Sequence, residues 1–473
     1  MTPVSGESTV SGLVLADIQG FIMRTYAMPA LRVFVLKIEQ PEQAGAFLAA
    51  LVSGDADTPQ LTTAVTWTSK PDYCVNVGFT QNGLAAMRLP QESLDTFPEE
   101  FVQGAVERAA RVGDTGSSAP EHWAGSLASN QVHALVFAFA QTEAILERVS
   151  VDLRARFAAG PAFRELSTQD GRAMPGNLAH FGYRDGFAQP TIDGGLPPLL
   201  PDPLPKAPAG EFLLGHPSQF ESFTYPVPHP ADQLGTNGSF LAYRVLAQDC
   251  DGFEKYLADA ARQIGVDPEL VAAKLCGRWR NGVPLALSPE TPGVDLPQEQ
   301  YNSFDYVPTD QVPDAYDDRR GYRSPIGAHI RRMNPRHSTV AGNSGLKRRI
   351  VRRGLPYGPP YDPANPEDGI ERGLLGLFIG VSLKDQFEFL MSDWANKGTF
   401  APGLRDTRDP LVGDNSSPGA VFLVPRENQK PMELTGLSRF VTCRGGAYCF
   451  LPSVTAIRYL SQVAIRHRAG TTP

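Results

Sequence analysis

Arg184 and Asp185 stand side by side in the segment AHFGYRDGFAQPTIDGG (179–195), with Gly182 and Gly186 on either side. Glycine lets a backbone turn tightly or approach a ligand closely, so this segment predicts a tight loop. A carboxylate in such a loop can cap a turn, pair with a cation or exchange a proton with a substrate. The loop alone leaves these three roles of Asp185 open.

A second candidate is His329, which Arg331, Arg332 and Arg336 follow within seven residues. A lone histidine is more often structural than a ligand. Positive charge around it is unfavourable for a zinc site, but it suits an anionic cofactor such as haem, whose propionates pair with arginine. The cluster therefore indicates an anionic cofactor if His329 binds a metal.

The most basic stretch of the chain is GLKRRIVRRGLPYGPPYDP (345–363). The net charge of −8 and the pI of about 5.6 argue against a nucleic-acid partner. The pair Ile350-Val351 predicts a short strand, so Arg352 and Arg353 should face opposite sides. We expect solvated side chains at Arg348 and Arg349, and an inward arginine among the others, which requires an anionic partner.

Length and composition limit the remaining possibilities. The 473 residues suggest two or three domains. The five cysteines form no C-x-x-C or C-x-x-C-H motif, so the thiols should be reduced and any haem non-covalent. The sequence has no apolar run of about 20 residues, so no membrane span is predicted. The N-terminal residues carry no visible secretion signal, which predicts a cytoplasmic protein and leaves a secreted or encapsulated form open.

Strand and helix patterns alternate in two similar halves. Strands are predicted at 32–38, 73–80, 131–140, 239–249, 373–382, 420–425 and 447–452. Helices are predicted at 41–52, 81–87, 141–157, 251–265, 267–275 and 453–464. A proline-rich stretch at 195–210 lies between the halves. We therefore predict two α+β domains, 1–225 and 226–473.

Segments along nearly the whole chain resemble those of the dye-decolorizing peroxidases, in the same order. HFGYRDGFAQP resembles the G-x-x-D-G signature of that family, which by itself is weak evidence. The other matching segments are DIQGFIMRTY, VNVGFTQNGLAAM, GSFLAYRVLAQDCDGFEKYL, AAKLCGRWRNGVPLAL, AHIRRMNPR, IVRRGLPYG, GLLGLFIGVSLKDQFEFLMSDWANKGTF and RGGAYCFLPSVTAI. The chain length and the Q-F-x-F-x-x-x-x-W-x-N segment are similar to those of the longer members of the family.

This resemblance implies two ferredoxin-like domains, each an antiparallel β-sheet with peripheral helices, and one non-covalent haem b, mainly in the C-terminal half. It implies that Asp185 is the acid and Arg352 the arginine on the distal, peroxide-binding side. His329 corresponds to the proximal iron ligand, and Arg336 to an arginine that contacts a propionate. The remaining expected cofactor contacts are Gly186, Phe187, Leu377 and Phe389, and the candidate electron relays are Tyr357 and Trp394.

The implied reaction is the oxidation of bulky aromatic donors, such as dyes and phenols, by hydrogen peroxide. It requires a group that accepts and returns a proton, which suits Asp185, and a permanent cation, which suits Arg352. A carboxylate with an ordinary pKa is a weak base at neutral pH, so we expect either an acidic optimum or proton transfer through a bridging water. A carboxylate on the second nitrogen of His329 would raise its basicity, and Asp409 and Asp414 are the candidates.

One departure from the family pattern is Gly376, where relatives often carry an aromatic residue. Either the distal wall is roomier here or Phe378 fills the gap. Two other functions stay open at this point. A haem-handling protein would need His329 but neither Asp185 nor Arg352, and an interaction module would bind no haem. The sequence predicts no nucleic-acid or membrane partner and leaves monomer and homo-oligomer open.

Overall fold

The computed structural model describes residues 9–55, 57–196, 200–220, 223–293, 295–338, 342–366 and 368–466. Its helices are α1 (Gly20–Met23), α2 (Pro41–Leu51), α3 (Gln81–Ala86), α4 (Gln91–Leu94), α5 (Glu99–Glu107), α6 (Glu143–Phe157), α7 (Cys250–Ile264), α8 (Pro268–Cys276), α9 (His329–Met333) and α10 (Val454–Arg466). Its strands are β1 (Thr9–Val10), β2 (Leu13–Val14), β3 (Ala30–Ile38), β4 (Tyr73–Phe79), β5 (Ala134–Ala140), β6 (Phe163–Arg172), β7 (Ser239–Gln248), β8 (Val351–Arg352), β9 (Leu355–Tyr357), β10 (Gly373–Gly380), β11 (Val421–Val424), β12 (Met432–Thr435) and β13 (Val441–Leu451).

The N-terminal half contains a four-stranded antiparallel sheet in the order β6-β3-β5-β4. Along the chain this sheet is built as β3-α2-β4-β5-α6-β6, which is the ferredoxin-like pattern. Helix α2 forms because apolar residues recur at helical spacing, and Ala44, Phe47, Leu48 and Leu51 are buried against the sheet. The predicted strand at 131–140 is confirmed, but it begins at Ala134.

The C-terminal half repeats the arrangement with the order β13-β7-β10, and both β8 and β9 pair with the free edge of β10. Two π-helical stretches, Leu383–Glu388 and Leu390–Ala395, lie between β10 and the last strand of this sheet. The expected α+β fold of two antiparallel sheets with peripheral helices is confirmed. The predicted strand at 420–425 is also confirmed, but as β11 it pairs with β12 outside the main sheet.

The helix limits in the C-terminal half follow their sequence signals. The side chain of Asp249 accepts a hydrogen bond from the N–H of Gly252 at the start of α7, and Gly265 ends this helix in a left-handed conformation with φ of 71°. Asp267 caps α8 through the N–H of Glu269, and Pro268 occupies the first turn. These two helices pack side by side, in one buried cluster with Phe181 and Tyr183 of the loop that carries Asp185.

The two sheets enclose an apolar interior. Strands β4 and β13 pair at Phe79 and Phe450, which joins the sheets at one edge. The interior is filled by one buried cluster that includes Phe137, Tyr243 and Leu377. Because successive residues of a strand face opposite sides, the residues next to inward-facing ones on β8 and β10 point to the outer face.

The stretch from 173 to 238 connects the last strand of the first sheet with the first strand of the second. It carries the loop with Asp185 and contains short helical turns but no β-ladder of either main sheet in its described part. The predicted domain boundary at 225/226 falls within it and stays a prediction. Pro197, Pro198 and Leu199 of the proline-rich stretch lie outside the described residues. In the described parts of the chain, no helix has the length and apolar character needed to cross a bilayer.

Candidate active site

Asp185 is held in its loop by the backbone. Its N–H donates to the carbonyl of Asn177 (2.9 Å), and its Oδ1 accepts from the N–H of Gly186 (2.6 Å). Gly186 has φ of 89°, a conformation that glycine adopts without strain. Arg184 does not pair with Asp185, because its Nε donates to the carbonyl of Gly176 and its guanidinium lies over Phe187. The carboxylate of Asp185 is therefore free to face another cation.

That cation is Arg352 on the two-residue strand β8. Its Nη1 lies 3.4 Å from Oδ1 of Asp185, and its Nη2 donates to the carbonyl of Ala188 at 2.9 Å. Arg352 pairs with Phe378 of β10, so both side chains lie on the outer face of the sheet. The structure thus brings the sequence-predicted Asp185 and Arg352 together.

Arg353 points the other way, as the strand pattern predicts. Its Nε donates to the carbonyl of Phe21 at 2.7 Å, and its Nη2 to that of Ile22 at 3.4 Å. Burial lowers the pKa of Arg353 to about 9. Arg353 therefore ties β8 to α1 and does not face Asp185.

The distal pair, Asp185 and Arg352, keeps accessible surface although burial acts on the Asp185 carboxylate, and we infer that the pair lines a cavity. The side chains are 56% and 36% accessible, respectively. The charge of Arg352 lowers the pKa of Asp185 below its usual value of 3.8, and it outweighs the rise caused by burial. Surface that is accessible and yet surrounded by protein is typical of a cavity wall. A side chain built at Gly186 would meet no atom within 4 Å, so the space beside this loop is open.

The proximal pair is His329 and Asp409. His329 begins α9, and its Nδ1 lies 2.9 Å from Oδ2 of Asp409. Burial raises the pKa of Asp409, but the charge of His329 and this hydrogen bond outweigh it and hold the pKa below the usual value. His329 also helps to lower the pKa of Asp185, which places its ring near the same cavity. Its Nε2 has no hydrogen-bond partner among the described residues.

Of the two carboxylates considered for His329, the structure selects Asp409. The loop around Asp409 is closed by hydrogen bonds from the backbone N–H groups of Leu411 and Val412 to its Oδ1, at 2.9 and 3.0 Å. Asp414 instead accepts hydrogen bonds from Thr115 and Arg439. Asp409 is inaccessible to solvent, so the proximal pair is rigid.

The arginines near His329 do not all contribute charge to the cavity. Arg331 is buried and bonded to Asp318 and to the carbonyl of Ser324. Arg332 donates to backbone carbonyls, including that of Trp394 at 2.6 Å. The expectation that these arginines surround an anionic group is wrong for Arg331 and Arg332, because both anchor α9 to the loops around it.

Two other arginines supply positive charge near the distal pair. Arg278 is buried, and its Nη1 donates to the carbonyls of Gly282 (2.9 Å) and Tyr301 (2.5 Å). Burial, together with the smaller effects of the charges of Arg336 and Arg352, lowers the pKa of Arg278 to about 10. Among the described residues no carboxylate bonds to Arg278. The positive charges of Arg278, Arg336 and Arg352 are therefore only partly balanced by carboxylates of the described residues.

Arg336 adopts a left-handed backbone with φ of 52°, which is strained for a residue other than glycine. Its Nη1 donates to the carbonyl of Phe304 and its Nη2 to Oδ1 of Asn302, both at 2.7 Å. The guanidinium lies 3.8 Å from the centre of the Phe304 ring. A strained backbone and a buried cation at one position indicate that the location of this charge matters.

These observations fit a haem. His329 has a free Nε2 for a metal and a carboxylate on its other nitrogen, as metal-binding histidines commonly have. Arg278 and Arg336 offer charge for two carboxylates, and the open space at Gly186 lies beside the distal pair. The donor set and the cavity are therefore compatible with an anionic porphyrin.

The other predicted cofactor contacts differ in position. Phe187 is buried against Tyr301, with the two ring centres 5.5 Å apart, in the segment that follows Gly186. Phe389 is half-buried under the guanidinium of Arg348, at 3.6 Å. The prediction that Leu377 contacts the cofactor is not supported by its position. Its side chain is buried in the interior between the sheets, on the face opposite Arg352.

The side chains of Arg348 and Arg349 in the basic stretch are not solvated as predicted. Arg349 is buried and bonded to the carbonyl of Pro205 at 2.6 Å, and Arg348 stacks on Phe389. The predicted solvated face is wrong because apolar and carbonyl groups of neighbouring segments cover both side chains. Phe378 fills the gap at Gly376, since a Cβ there would lie 2.5 Å from its ring.

The two candidate electron relays lie in different surroundings. Tyr357 is half-buried on β9, and its hydroxyl donates to Oε1 of Glu371 at 3.0 Å. Trp394 is buried between Phe389 and Phe400, with ring centres 5.5 and 5.7 Å away. Tyr357 therefore has access to solvent and a proton acceptor, whereas Trp394 is part of a core cluster.

Sequence reasoning assigned no role to two residues that contact the site, Arg278 and Gln189. Arg278 lies in the segment GRW. The position of an arginine between a glycine and a tryptophan is the sequence feature that could have drawn attention to it. Gln189 closes the Asp185 loop, and its side-chain amide bonds the backbone of Arg352. That contact has no sequence signal because 163 residues separate the two positions.

Several known proteins are similar to this chain in both sequence and fold. The family model described as the DyP dimeric alpha+beta barrel domain matches residues 17–175. A dye-decolorizing peroxidase of Exidia glandulosa is 28% identical over 96% of this chain and 88% of the relative, and peroxidase 2 of Mycetinis scorodonius is 29% identical over 94% and 87%. A crystal structure of a mutant decolorizing peroxidase from Auricularia auricula-judae matches with a TM-score of 0.79 and 25% identity, over 95% of this chain and 100% of that chain.

A second structure is a dye-decolorizing peroxidase in complex with 2,6-dimethoxyphenol, with a TM-score of 0.75 and 25% identity, over 96% of this chain and 100% of that one. The matches to relatives and to structures extend across both halves of the chain, so they cover the distal and the proximal pair alike. With the fold and the order of the sequence segments in agreement, the chain is similar to the dye-decolorizing peroxidases along nearly its whole length.

Proposed function

We propose that this protein is a haem b peroxidase that uses hydrogen peroxide to oxidise bulky aromatic donors such as dyes and phenols. The observation that carries the proposal is the distal pair, in which a carboxylate and a guanidinium lie 3.4 Å apart on a cavity wall near His329. A permanent cation beside a proton-exchanging carboxylate is the combination that cleavage of a peroxide bond requires.

His329 would hold the iron through Nε2, with Asp409 fixing the orientation of the ring through Nδ1. Arg278 and Arg336 would balance the two propionates, one non-covalent haem being bound per chain. When bound, the haem supplies an iron centre that accepts two oxidising equivalents from peroxide and returns them to donors one electron at a time.

Asp185 would take the proton from one peroxide oxygen and return it to the other, so that water can leave. Arg352 would stabilise the negative charge that develops on the peroxide, and it stays charged at every working pH. Because Arg352 lowers the pKa of Asp185, the carboxylate is a weak base at neutral pH. This low pKa suits either an acidic optimum or proton transfer through a bridging water.

Bulky donors would react at the protein surface, and Tyr357 is the stronger of the two candidate relays. Oxidation of a tyrosine releases its phenolic proton, and the carboxylate of Glu371 is placed to accept it. Trp394 is enclosed by aromatic rings and is better explained as a core residue. A phenol is the ligand in one of the similar structures, which supports phenols as a donor class. A cytoplasmic location remains a prediction.

The test is an absorption spectrum of the protein produced with a haem precursor, followed by one equivalent of hydrogen peroxide and then a dye. We expect a Soret band that changes with peroxide and is restored by the dye. A band that only bleaches would favour a haem-handling protein. The absence of a band when haemin is supplied would contradict the proposal and favour an interaction module.

A further inference from the structure

Gln189 forms a paired contact with the backbone of Arg352. Its Nε2 donates to the carbonyl of Arg352 at 3.1 Å, and its Oε1 accepts from the N–H of Arg352 at 3.2 Å. A neighbouring strand would make the same two bonds. Strand β8 has only two residues, and β10 occupies one of its edges, so the amide of Gln189 completes the other edge at this one residue.

The segment that carries Gln189 is also the one that carries Asp185. Between them, the carbonyl of Ala188 accepts a hydrogen bond from Nη2 of Arg352 at 2.9 Å. Pro190 follows Gln189, and a residue before proline is disfavoured in the helical region, which limits the backbone conformations of Gln189. Five successive residues thus determine where both the carboxylate and the guanidinium of the distal pair lie.

A second link joins the same two segments further along. Nε2 of His180 lies 2.8 Å from the carbonyl of Tyr357, so the loop and the β8–β9 region are connected on both sides of the distal pair. The ion pair of Asp185 and Arg352 cannot hold this geometry by itself. Both groups are partly accessible, and ion pairs between accessible groups contribute little to holding a geometry.

We propose that Gln189 is a positioning residue for peroxide cleavage, which fixes the backbone of Arg352 and thereby the distance from its guanidinium to Asp185. The inference rests on the proposed function and adds a residue to it. Gln189 acts through Arg352 and needs no contact with peroxide or cofactor. Loss of the amide leaves Arg352 charged but less well placed.

The test compares Gln189→Met with Gln141→Met. Methionine is similar in size to glutamine but has no amide to form the two hydrogen bonds. Gln141 is the matched control, since its Nε2 donates to the carbonyl of Pro71 in the N-terminal half, far along the chain from the distal pair. Three quantities are measured in each variant: hydrogen exchange at the Arg352 amide, kcat/KM for hydrogen peroxide with its pH profile, and KM for the aromatic donor.

We expect Gln189→Met to speed exchange at the Arg352 amide and to lower kcat/KM for peroxide about tenfold, as loss of an orienting hydrogen bond does in other sites. The acid limb of its pH profile should move upward, because Arg352 would lower the pKa of Asp185 less. The donor KM should stay unchanged, and Gln141→Met should behave as wild type in all three measurements.

Unchanged peroxide kinetics in Gln189→Met would overturn the proposal, even with faster exchange at Arg352. Equal losses for peroxide and donor, accompanied by a lower melting temperature, would also overturn it and indicate a purely structural role. Hydrogen exchange can be followed without turnover. Absence of peroxidase activity in the wild-type protein would therefore refute the proposed function, while the exchange result would still report whether Gln189 holds Arg352.

Discussion

The distal and proximal pairs differ in how firmly the chain holds them. Asp185 lies in a loop and Arg352 on a two-residue strand, and their side chains are 3.4 Å apart and partly accessible. His329 and Asp409 are 2.9 Å apart, and Asp409 has no accessible surface. The proximal pair is built to keep one geometry, whereas the distal pair is open to a substrate and able to exchange a proton.

The difference follows from the partners of each carboxylate. Asp409 accepts two backbone N–H groups besides His329, and its own N–H donates to the carbonyl of Ala395 at 2.6 Å. Asp185 accepts a single backbone N–H, from Gly186, and otherwise faces Arg352 and the cavity. Substitutions on the proximal side should therefore change cofactor binding, and substitutions on the distal side should change peroxide chemistry.

The largest expected effect is on the proximal side. His329→Ala removes the group that would hold the iron, so we expect the purified protein to retain almost no haem. The measurement is the ratio of Soret to protein absorbance after supplying haemin. Full haem retention with an unchanged Soret band would mean that another residue is the ligand.

The next effect is on the distal side. Arg352→Gln should keep haem and lower kcat/KM for hydrogen peroxide by about 10²–10³-fold, the usual cost of removing one transition-state donor. The control is Arg353→Lys, which changes the neighbouring residue on the opposite face of the strand. This control should be less stable but should keep peroxide kcat/KM per folded, haem-loaded molecule. Similar losses in both variants would contradict the assignment of Arg352.

A smaller effect should follow from neutralising the proximal carboxylate. Asp409→Asn leaves an acceptor for His329 but removes its charge, so we expect haem affinity to fall by about 10–100-fold. Transfer of haem to an excess of a haem-scavenging protein measures this change. Asp414→Asn is the control, because Asp414 bonds Thr115 and Arg439 instead. An equal loss in the two variants would show that His329 does not depend on Asp409 in particular.

The smallest effect is a shift in pH dependence. Arg352 lowers the pKa of Asp185, so the ionised carboxylate persists as the pH falls and is lost only below the usual value of 3.8. The acid limb of wild-type kcat/KM for peroxide should therefore lie below this pH. In Arg352→Gln the largest lowering cause is gone and burial still raises the pKa, so the decline should begin at a higher pH. A decline at the same pH in both proteins would show that protonation of Asp185 does not cause the acid limb.

Much of this fold was predictable because local patterns agree with the tertiary structure. The strand at 32–38 and the helix at 251–265 carry clear periodicity, and Gly265 marks the helix end. The site residues Asp185, Arg352 and His329 came from a family resemblance, and their proximity is a property of the fold. Strand alternation predicted that Arg352 and Arg353 face opposite sides, whereas the choice of Arg352 for the distal side rested on its spacing to the segment LPYG in the family resemblance.

The errors occurred where long-range contacts decide the environment. Arg348 and Arg349 look solvated in a basic stretch, but segments from elsewhere in the chain bury them. From the sequence, the side chain of Leu377 could face either side of β10. The pairing register of β10 with β7 places it in the interior. The contact of Gln189 with Arg352 was equally hidden, because an amide that completes a strand edge has no local pattern.

We propose that Asp185 and Arg352 act together on peroxide while the proximal pair holds the cofactor. The most direct test is the rate of the Soret change when haem-loaded protein is mixed with hydrogen peroxide, in wild type, Asp185→Asn, Arg352→Gln and the double variant. We expect full haem content in all four, slow reaction in both single variants, and little further loss in the double variant, because the effects of groups that act as a unit are not additive. A wild-type rate in Asp185→Asn, or fully multiplicative losses in the double variant, would contradict it.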